Sequence, residues 1–143
     1  MLIGEFQNCI DEKNRLIVPA RFRDELGYKC ILSKGLDQCL VLYPMQTWEA
    51  QAQKLAALPS SDPLARAYKR FIYASAFECE IDKQGRILIP ANLKAAAGIE
   101  KDLVTIGSQD RVEIWSKQIY ETSAQGAQIS ADAFASFSDK YQV

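Results

Sequence analysis

The chain has 143 residues, enough for one ordinary domain or two very small ones. Its 48% hydrophobic and 24% charged residues are typical of a folded soluble protein, and no apolar run reaches the roughly 18 residues of a membrane span. The absence of histidine excludes Ser-His-Asp and Cys-His catalytic groups, and a net charge of −1 argues against a protein that coats DNA by bulk charge alone.

The first residues indicate the compartment. An acidic residue, Glu5, comes at once, and the basic and apolar regions of a secretion signal are missing, so we expect a cytoplasmic location. The four cysteines have no C-x-x-C spacing and lie among apolar neighbours. We therefore expect buried, reduced thiols and no metal site at Cys9, Cys30, Cys39 and Cys79.

The first predicted strand belongs to a segment that occurs twice. Residues 6–27 read FQNCIDEKNRLIVPARFRDELG, and residues 77–98 read FECEIDKQGRILIPANLKAAAG. The two align without a gap, so that Phe6 corresponds to Phe77 and Gly27 to Gly98. The chain therefore contains an internal repeat.

Within each repeat the predicted strand ends at an aspartate, and a turn, an arginine and an aliphatic strand follow. We interpret Asp11 and Asp82 as turn formers, because aspartate accepts backbone N–H bonds at the start of a turn. Asn14 and Gly85 occupy the position that calls for a left-handed conformation. No nucleophile or complementary acid lies nearby, so paired catalytic carboxylates are disfavoured.

A proline ends each aliphatic strand, since it has no N–H for a ladder. Short helices are predicted next at 20–26 and 91–97, with left-handed glycine caps at Gly27 and Gly98. Two strands with a turn-rich connection then follow in each repeat. These hairpin strands are predicted at 30–32 with 40–43, and at 103–106 with 112–115, the second pair flanking a turn at 107–110.

Two helices are predicted between the repeats. The first spans 44–58, and the second begins with Asp62 as N-cap and Pro63 as first residue and ends at Ser75. Three cations on the second helix are expected to form a solvated face, with a DNA surface as the alternative: Arg66, Lys69 and Arg70. After Tyr120 the Ser-, Ala- and Gln-rich sequence predicts a loosely docked helix or a flexible tail.

A β-β-α-β-β repeat of about 40 residues is too small to bury much apolar area alone. We expect the two repeats to interleave their hairpins into a pseudo-twofold unit and the linking helices to pack on a neighbouring chain. The predicted parts are a first module at 1–46, a helical linker at 47–75, a second module at 76–118 and an extension at 119–143.

The duplicated motif D-x-x-(N/G)-R-(L/I)-(I/L)-(V/I)-P, at 11–19 and 82–90, resembles the SpoVT-AbrB swapped-hairpin superfamily. With two copies, a helical linker and the opening Gly4-Glu5-Phe6, residues 1–115 resemble the MraZ family. The resemblance implies a β-rich α+β fold, in which two pseudo-symmetric AbrB-like modules form a small double-ψ-like barrel beside a helical linker.

The same resemblance implies a sequence-specific transcriptional regulator of the bacterial division and cell-wall gene cluster, its own operon included. Such a protein forms a ring-shaped homo-oligomer, binds repeated promoter boxes on double-stranded DNA and is associated with the nucleoid. Neither a cofactor, a small-molecule substrate nor a membrane is implied.

The resemblance also implies which residues contact DNA. The basic residues of the family motif match Lys13, Arg15 and Arg86, and we assign the candidate site to both turns: Lys13, Asn14, Arg15, Lys83, Gly85 and Arg86. The repeats differ, because Gln84 stands where the first repeat has Lys13. Each arginine could instead form a salt bridge with the aspartate of its own motif, and the sequence leaves both roles open.

Three other functions compete with this one. An enzyme is disfavoured because histidine, a phosphate-binding glycine loop and a ligand cluster are missing. An antitoxin of the AbrB type usually carries one copy of the motif, and this chain has two. An oligomeric protein-interaction scaffold without DNA binding is the main alternative, and it differs in one respect: it should tolerate Arg15→Ala.

Overall fold

The structure is a computed structural model that describes residues 1–143, and its elements follow the order predicted for each repeat. The first repeat contains β1 (Leu2–Cys9), β2 (Arg15–Ile17), α1 (Ala20–Leu26), β3 (Lys29–Lys34) and β4 (Leu40–Pro44). The linker contains α2 (Met45–Ala56) and α3 (Pro63–Ser75). The second repeat contains β5 (Phe77–Glu80), β6 (Arg86–Leu88), α4 (Ala91–Ala96), β7 (Asp102–Gln109) and β8 (Val112–Ser116), and α5 (Lys117–Thr122) and α6 (Ala131–Tyr141) follow.

Six of the strands form one antiparallel sheet in the order β1-β7-β8-β4-β3-β5. The repeats exchange strands, because β1 of the first pairs with β7 of the second and β5 of the second pairs with β3 of the first. Equivalent registers result, with Phe6 opposite Thr105 and Phe77 opposite Leu32. The strand-rich α+β class is therefore confirmed.

The remaining strands, β2 and β6, pair with each other as a two-stranded antiparallel ribbon. Leu16 lies opposite Ile87 at its centre, and both side chains are buried. Equivalent positions thus face each other across a pseudo-twofold axis through the ribbon. Two equivalent backbone hydrogen bonds, each 2.8 Å long, flank the central pair: Val18 N to Gly85 O and Ile89 N to Asn14 O.

The sheet does not close into a barrel, which corrects the double-ψ-like barrel expected from the resemblance. β1 and β5 are the two edges of the sheet, and no strand joins them. The ribbon strands are three residues long and pair with each other, and an isolated bridge between Ile10 and Leu16 is the β-bridge that β2 forms outside the ribbon. An open sheet with a ribbon seated on it is the result.

One hydrophobic core joins the ribbon, the short helices and the sheet. Leu16 and Ile87 enter it from the inner face of the ribbon, and Phe22 of α1 and Leu93 of α4 enter it from the equivalent helices. Phe6 packs edge-on against Phe22, with ring centroids 5.2 Å apart. The ribbon therefore packs on the core with one face only.

The predicted turn at 107–110 is mostly strand, because β7 continues to Gln109. Residues at the start of the chain pair with it, and Gly4 lies opposite Gly107. A Cβ on Gly107 would lie 2.5 Å from Ile3 N, so glycine is needed for this close approach. The reversal is therefore tighter than predicted, with Gln109 at a φ of 69°.

The cysteine prediction is right at three positions and wrong at one. Cys30, Cys39 and Cys79 are buried, whereas Cys9 is exposed. Cys9 lies on an edge strand in which Ile3, Glu5 and Gln7 also face outward, and this alternation decides its exposure.

The helical predictions for the linker and the tail are confirmed in outline. Asp62 caps α3 by accepting a 2.9 Å hydrogen bond from Leu64 N, and the helix ends at Ser75 as predicted. Helix α2 begins at Met45 and ends two residues earlier than predicted, at Ala56. In the tail, α6 has no buried residue and corresponds to the loosely docked helix. None of the helices has the length and apolar character needed to cross a membrane.

Candidate nucleic-acid interface

The turn of the first repeat is closed by the carboxylate of Asp11. Its Oδ1 accepts hydrogen bonds from Lys13 N at 2.9 Å and from Arg15 N at 2.8 Å. Its Oδ2 accepts from Arg15 Nε at 3.2 Å. Asn14 takes the left-handed conformation, with a φ of 60°. The aspartate thus shapes the turn and orients the arginine at the same time.

The turn of the second repeat has the same geometry. Asp82 Oδ1 accepts from Gln84 N and Arg86 N, both at 2.9 Å, and its Oδ2 accepts from Arg86 Nε at 2.9 Å. Gly85 has a φ of 80°. Both aspartates are therefore turn formers and both of the predicted left-handed positions are confirmed.

The hydrogen bonds lower the pKa of both aspartates, so that they stay ionised at a lower pH than a free aspartate does. The backbone amide of Arg15 is the main cause that lowers the pKa of Asp11, with further contributions from the Lys13 amide and the Arg15 guanidinium, while partial desolvation opposes them. The amide and guanidinium of Arg86 lower the pKa of Asp82 in the same way. Each arginine therefore has a permanent anionic partner.

That partner occupies only part of each guanidinium. The side chains of Arg15 and Arg86 are 30% and 25% exposed, and in both cases the Nε makes the only hydrogen bond of the side chain. The Nη groups have no hydrogen-bond partner within the chain. The salt bridge left open by the sequence is thus present, and it leaves the outer donors of both arginines free.

Each turn is also contacted by a helix of the other repeat, which the sequence analysis missed. Arg23 of α1 donates through Nε to Val18 O at 2.8 Å and lies over Gly85, where a Cβ would be 2.2 Å from Arg23 Cζ. Lys94 of α4 donates through Nζ to Asn14 Oδ1 at 3.1 Å. Arg23 and Lys94 occupy equivalent positions in the two repeats, and this equivalence is the one feature of the sequence that could have predicted their contacts with the turns.

The outer face of the ribbon carries both arginines. Arg15 lies opposite Leu88 and Arg86 lies opposite Ile17, and all four alternate with the buried central pair. The arginines are therefore diagonal neighbours, a relation that places residues about 7–8 Å apart. The six candidate residues fall into two groups at opposite ends of this ribbon: Lys13, Asn14 and Arg15, and Lys83, Gly85 and Arg86.

Basic residues outnumber acidic ones around the ribbon, although the whole chain has a net charge of −1. The turns and the two helices above them supply seven basic residues: Lys13, Arg15, Arg21, Arg23, Lys83, Arg86 and Lys94. Five acidic residues belong to the same segments: Asp11, Glu12, Asp24, Glu25 and Asp82. The placement of the cations thus gives this region a positive charge that the composition conceals.

The basic residues of α3 lie elsewhere and partly serve the linker. Arg66 Nη1 donates to Ser60 O at 2.9 Å, and Lys69 Nζ donates to Leu58 O at 3.5 Å. The helix itself packs on the sheet, where Ser75 Oγ lies 3.0 Å from Ser33 Oγ of β3. These contacts indicate a structural role for two of the three linker cations.

A family model described as "MraZ protein, putative antitoxin-like" matches this chain twice, at residues 1–71 and 72–140. Three curated proteins with the name Transcriptional regulator MraZ show how far the similarity extends. The protein of Thermoanaerobacter sp. (strain X514) is 49% identical over 143 residues, which is 100% of both chains. That of Desulfitobacterium hafniense (strain DSM 10664 / DCB-2) is 51% identical over 95% of this chain and 93% of its own. That of Clostridium beijerinckii (strain ATCC 51743 / NCIMB 8052) is 55% identical over 82% of this chain and 83% of its own.

Proposed function

This chain belongs to the MraZ family, whose curated members are named transcriptional regulators, and from that premise we propose that it regulates transcription by binding specific promoter DNA. The genes under its control are those of the division and cell-wall cluster, its own operon included. One observation carries the proposal: two equivalent turns each hold an arginine by its Nε and leave its Nη groups free.

The ribbon suits the major groove, which is wide enough for a two-stranded β-ribbon. Arg15 and Arg86 offer the paired donors that recognise guanine O6 and N7 or a phosphate. Lys13 and Lys83 are exposed on the turns and contact phosphates at either side. Because the aspartates fix each arginine before binding, little side-chain freedom is lost in the complex.

We further propose that the exchange of strands between the repeats makes two swapped-hairpin modules and that the chain assembles into a homo-oligomeric ring on the nucleoid in the cytoplasm. The exposed Leu64, Phe71 and Tyr73 of α3 and the exposed apolar residues of α6 support assembly. A ring repeats the basic turns, so that repeated promoter boxes bind by avidity despite the low net charge. Light scattering on size-exclusion fractions tests this, since a strictly monomeric protein would contradict the ring.

The test of DNA binding is a fluorescence titration of a labelled duplex from the region upstream of the chain's own gene. Wild type is compared with the double variant Arg15→Ala/Arg86→Ala at about 50 and 200 mM salt. Each lost base contact costs about 1–3 kcal/mol, so we expect the double variant to bind about 30-fold or more weakly.

The matched control removes two arginines of the linker, Arg66→Ala/Arg70→Ala, and should retain wild-type affinity. Equal binding by all three proteins would place the DNA contact outside the turns. If the folded wild-type oligomer binds no duplex, the protein is a scaffold and not a DNA-binding regulator.

A further inference from the structure

Two apolar side chains are exposed between the arginines of the ribbon. Ile17 is 53% exposed and Leu88 is 47% exposed, whereas their strand neighbours Leu16 and Ile87 are buried. Both belong to β-strands and not to loops. The outer face of the ribbon thus exposes apolar surface to water. Because side chains alternate between the two faces of a strand, burying Ile17 and Leu88 would also bury the arginines on the same face.

Side chains of β1 and β5 also contact the backbone at both positions. Ile17 O accepts a 3.0 Å hydrogen bond from Asn8 Nδ2, and Leu88 O lies 4.0 Å from Cys79 Sγ, the equivalent side chain of the other repeat. The two apolar side chains are therefore presented at fixed, pseudo-symmetric positions on the outer face.

The surroundings decide which partner fits this face. An apolar protein surface would have to desolvate Arg15 and Arg86, which have free Nη groups and lie directly opposite Leu88 and Ile17 on the ribbon. A DNA major groove accommodates both kinds of group, because it offers guanine acceptors and phosphates beside the C5-methyl groups of thymine. Charge complementarity thus favours a duplex over a protein.

On the basis of the proposed DNA-binding function, we propose that Ile17 and Leu88 are specificity-determining residues that contact thymine methyl groups in the major groove. As diagonal neighbours they lie about 7–8 Å apart. Successive base pairs rise by about 3.4 Å, so this spacing corresponds to about two base-pair steps. The pseudo-twofold axis places the two thymines on opposite strands.

The experiment starts with a selection of bound duplexes from a random library of 30 base pairs, using the wild-type protein. Each selected thymine is then replaced by deoxyuridine, which removes only the methyl group. Affinities for the thymine and deoxyuridine duplexes are measured for wild type, Ile17→Ser and Leu88→Ser. Leu36→Ser, at an exposed leucine outside the ribbon, is the control.

We expect two thymines to matter, one for each apolar residue. Replacing either of them by deoxyuridine should weaken binding by wild type and by the control three- to fivefold, which is the effect of about one buried methyl group. The serine variants should lose this preference at one thymine each. The ratio of the two affinities is read within each variant, so a general loss of stability does not produce the result, and Ile17→Ala serves as a milder truncation.

If the serine variants keep the full wild-type preference for thymine, or if the wild type has none, the inference is wrong while the DNA-binding function stands. If the wild type selects no duplex at all, the proposed function fails first and the inference fails with it.

Discussion

The two turns have one backbone shape but are built from different residues. The left-handed position is filled by Asn14 in the first repeat and by Gly85 in the second, at φ values of 60° and 80°. The cation above each turn differs as well. Lys94 donates to the side-chain oxygen of Asn14, and the guanidinium of Arg23 lies over Gly85. Each turn residue is thus matched to the helix of the other repeat.

The most direct way to break this match is Gly85→Asn, which gives the second turn the residue of the first. A Cβ at this position would lie 2.2 Å from Arg23 Cζ, so the guanidinium must move. We expect the free energy of unfolding to fall by about 1–3 kcal/mol, the usual cost of overpacking. Urea denaturation at neutral pH measures the loss.

Two further variants separate the clash from the backbone preference. In an Arg23→Lys background, which copies the pair of the first repeat, Gly85→Asn should cost less than in the wild type. Asn14→Gly relieves φ but loses the bond to Lys94, so its effect should stay below about 1 kcal/mol. Gly85→Asn with wild-type stability in both backgrounds would refute the match.

Local chemistry was predicted well, whereas the extent and register of the long-range strand pairings were not. The aspartate of each turn, the left-handed Asn14 and Gly85 and the cap Asp62 follow from preferences that act within a few residues. The extension of β7 depends on pairing with the first residues of the chain, which no local pattern shows. The contact of Arg23 with Gly85 likewise joins elements that are distant in sequence.

The repeat showed that both arginines follow the same turn, and the family resemblance assigned them to the candidate site. What the sequence could not decide was whether each arginine binds its own aspartate or DNA. The structure shows that the salt bridge uses only Nε, so the two roles are compatible for Arg15 and Arg86. The arrangement of donors on one guanidinium is a property of geometry, not of composition.

The two turns can also be compared by how each contributes to the stability of the fold at low pH. The pKa values of Asp11 and Asp82 are lowered in the folded state, chiefly by the amides of Arg15 and Arg86. Carboxylates of this kind stabilise the fold above their unfolded pKa of about 4, and the stabilisation is lost as pH falls through the lower native values. We expect the melting temperature to fall over that interval.

The double variant Asp11→Asn/Asp82→Asn should show a flatter melting temperature between about pH 5 and pH 2 than the wild type does. The single variants should each remove a similar part of the acid sensitivity, since the two turns have the same hydrogen bonds. A double variant as acid-sensitive as the wild type would assign the sensitivity to other carboxylates.

The smallest expected effect concerns one of the two positions where the turns differ in charge, Lys13 against Gln84. Gln84→Lys adds a cation to the second turn, and we expect two- to fivefold tighter DNA binding at low salt. The slope of log affinity against log salt should steepen by about 0.9 per added phosphate contact. Gln53→Lys, on the exposed side of α2, is the control and should leave the slope unchanged.

The most direct test of the central claim, that both repeats supply an equivalent DNA-reading turn, compares Arg15→Ala and Arg86→Ala as single variants with wild type in one titration at one salt concentration. We predict that each single variant loses about tenfold in affinity, the lower part of the range for a base contact, and that the double variant binds more weakly than either. If one single variant binds as the wild type does and the other as the double variant does, only one turn reads DNA and the claim is wrong.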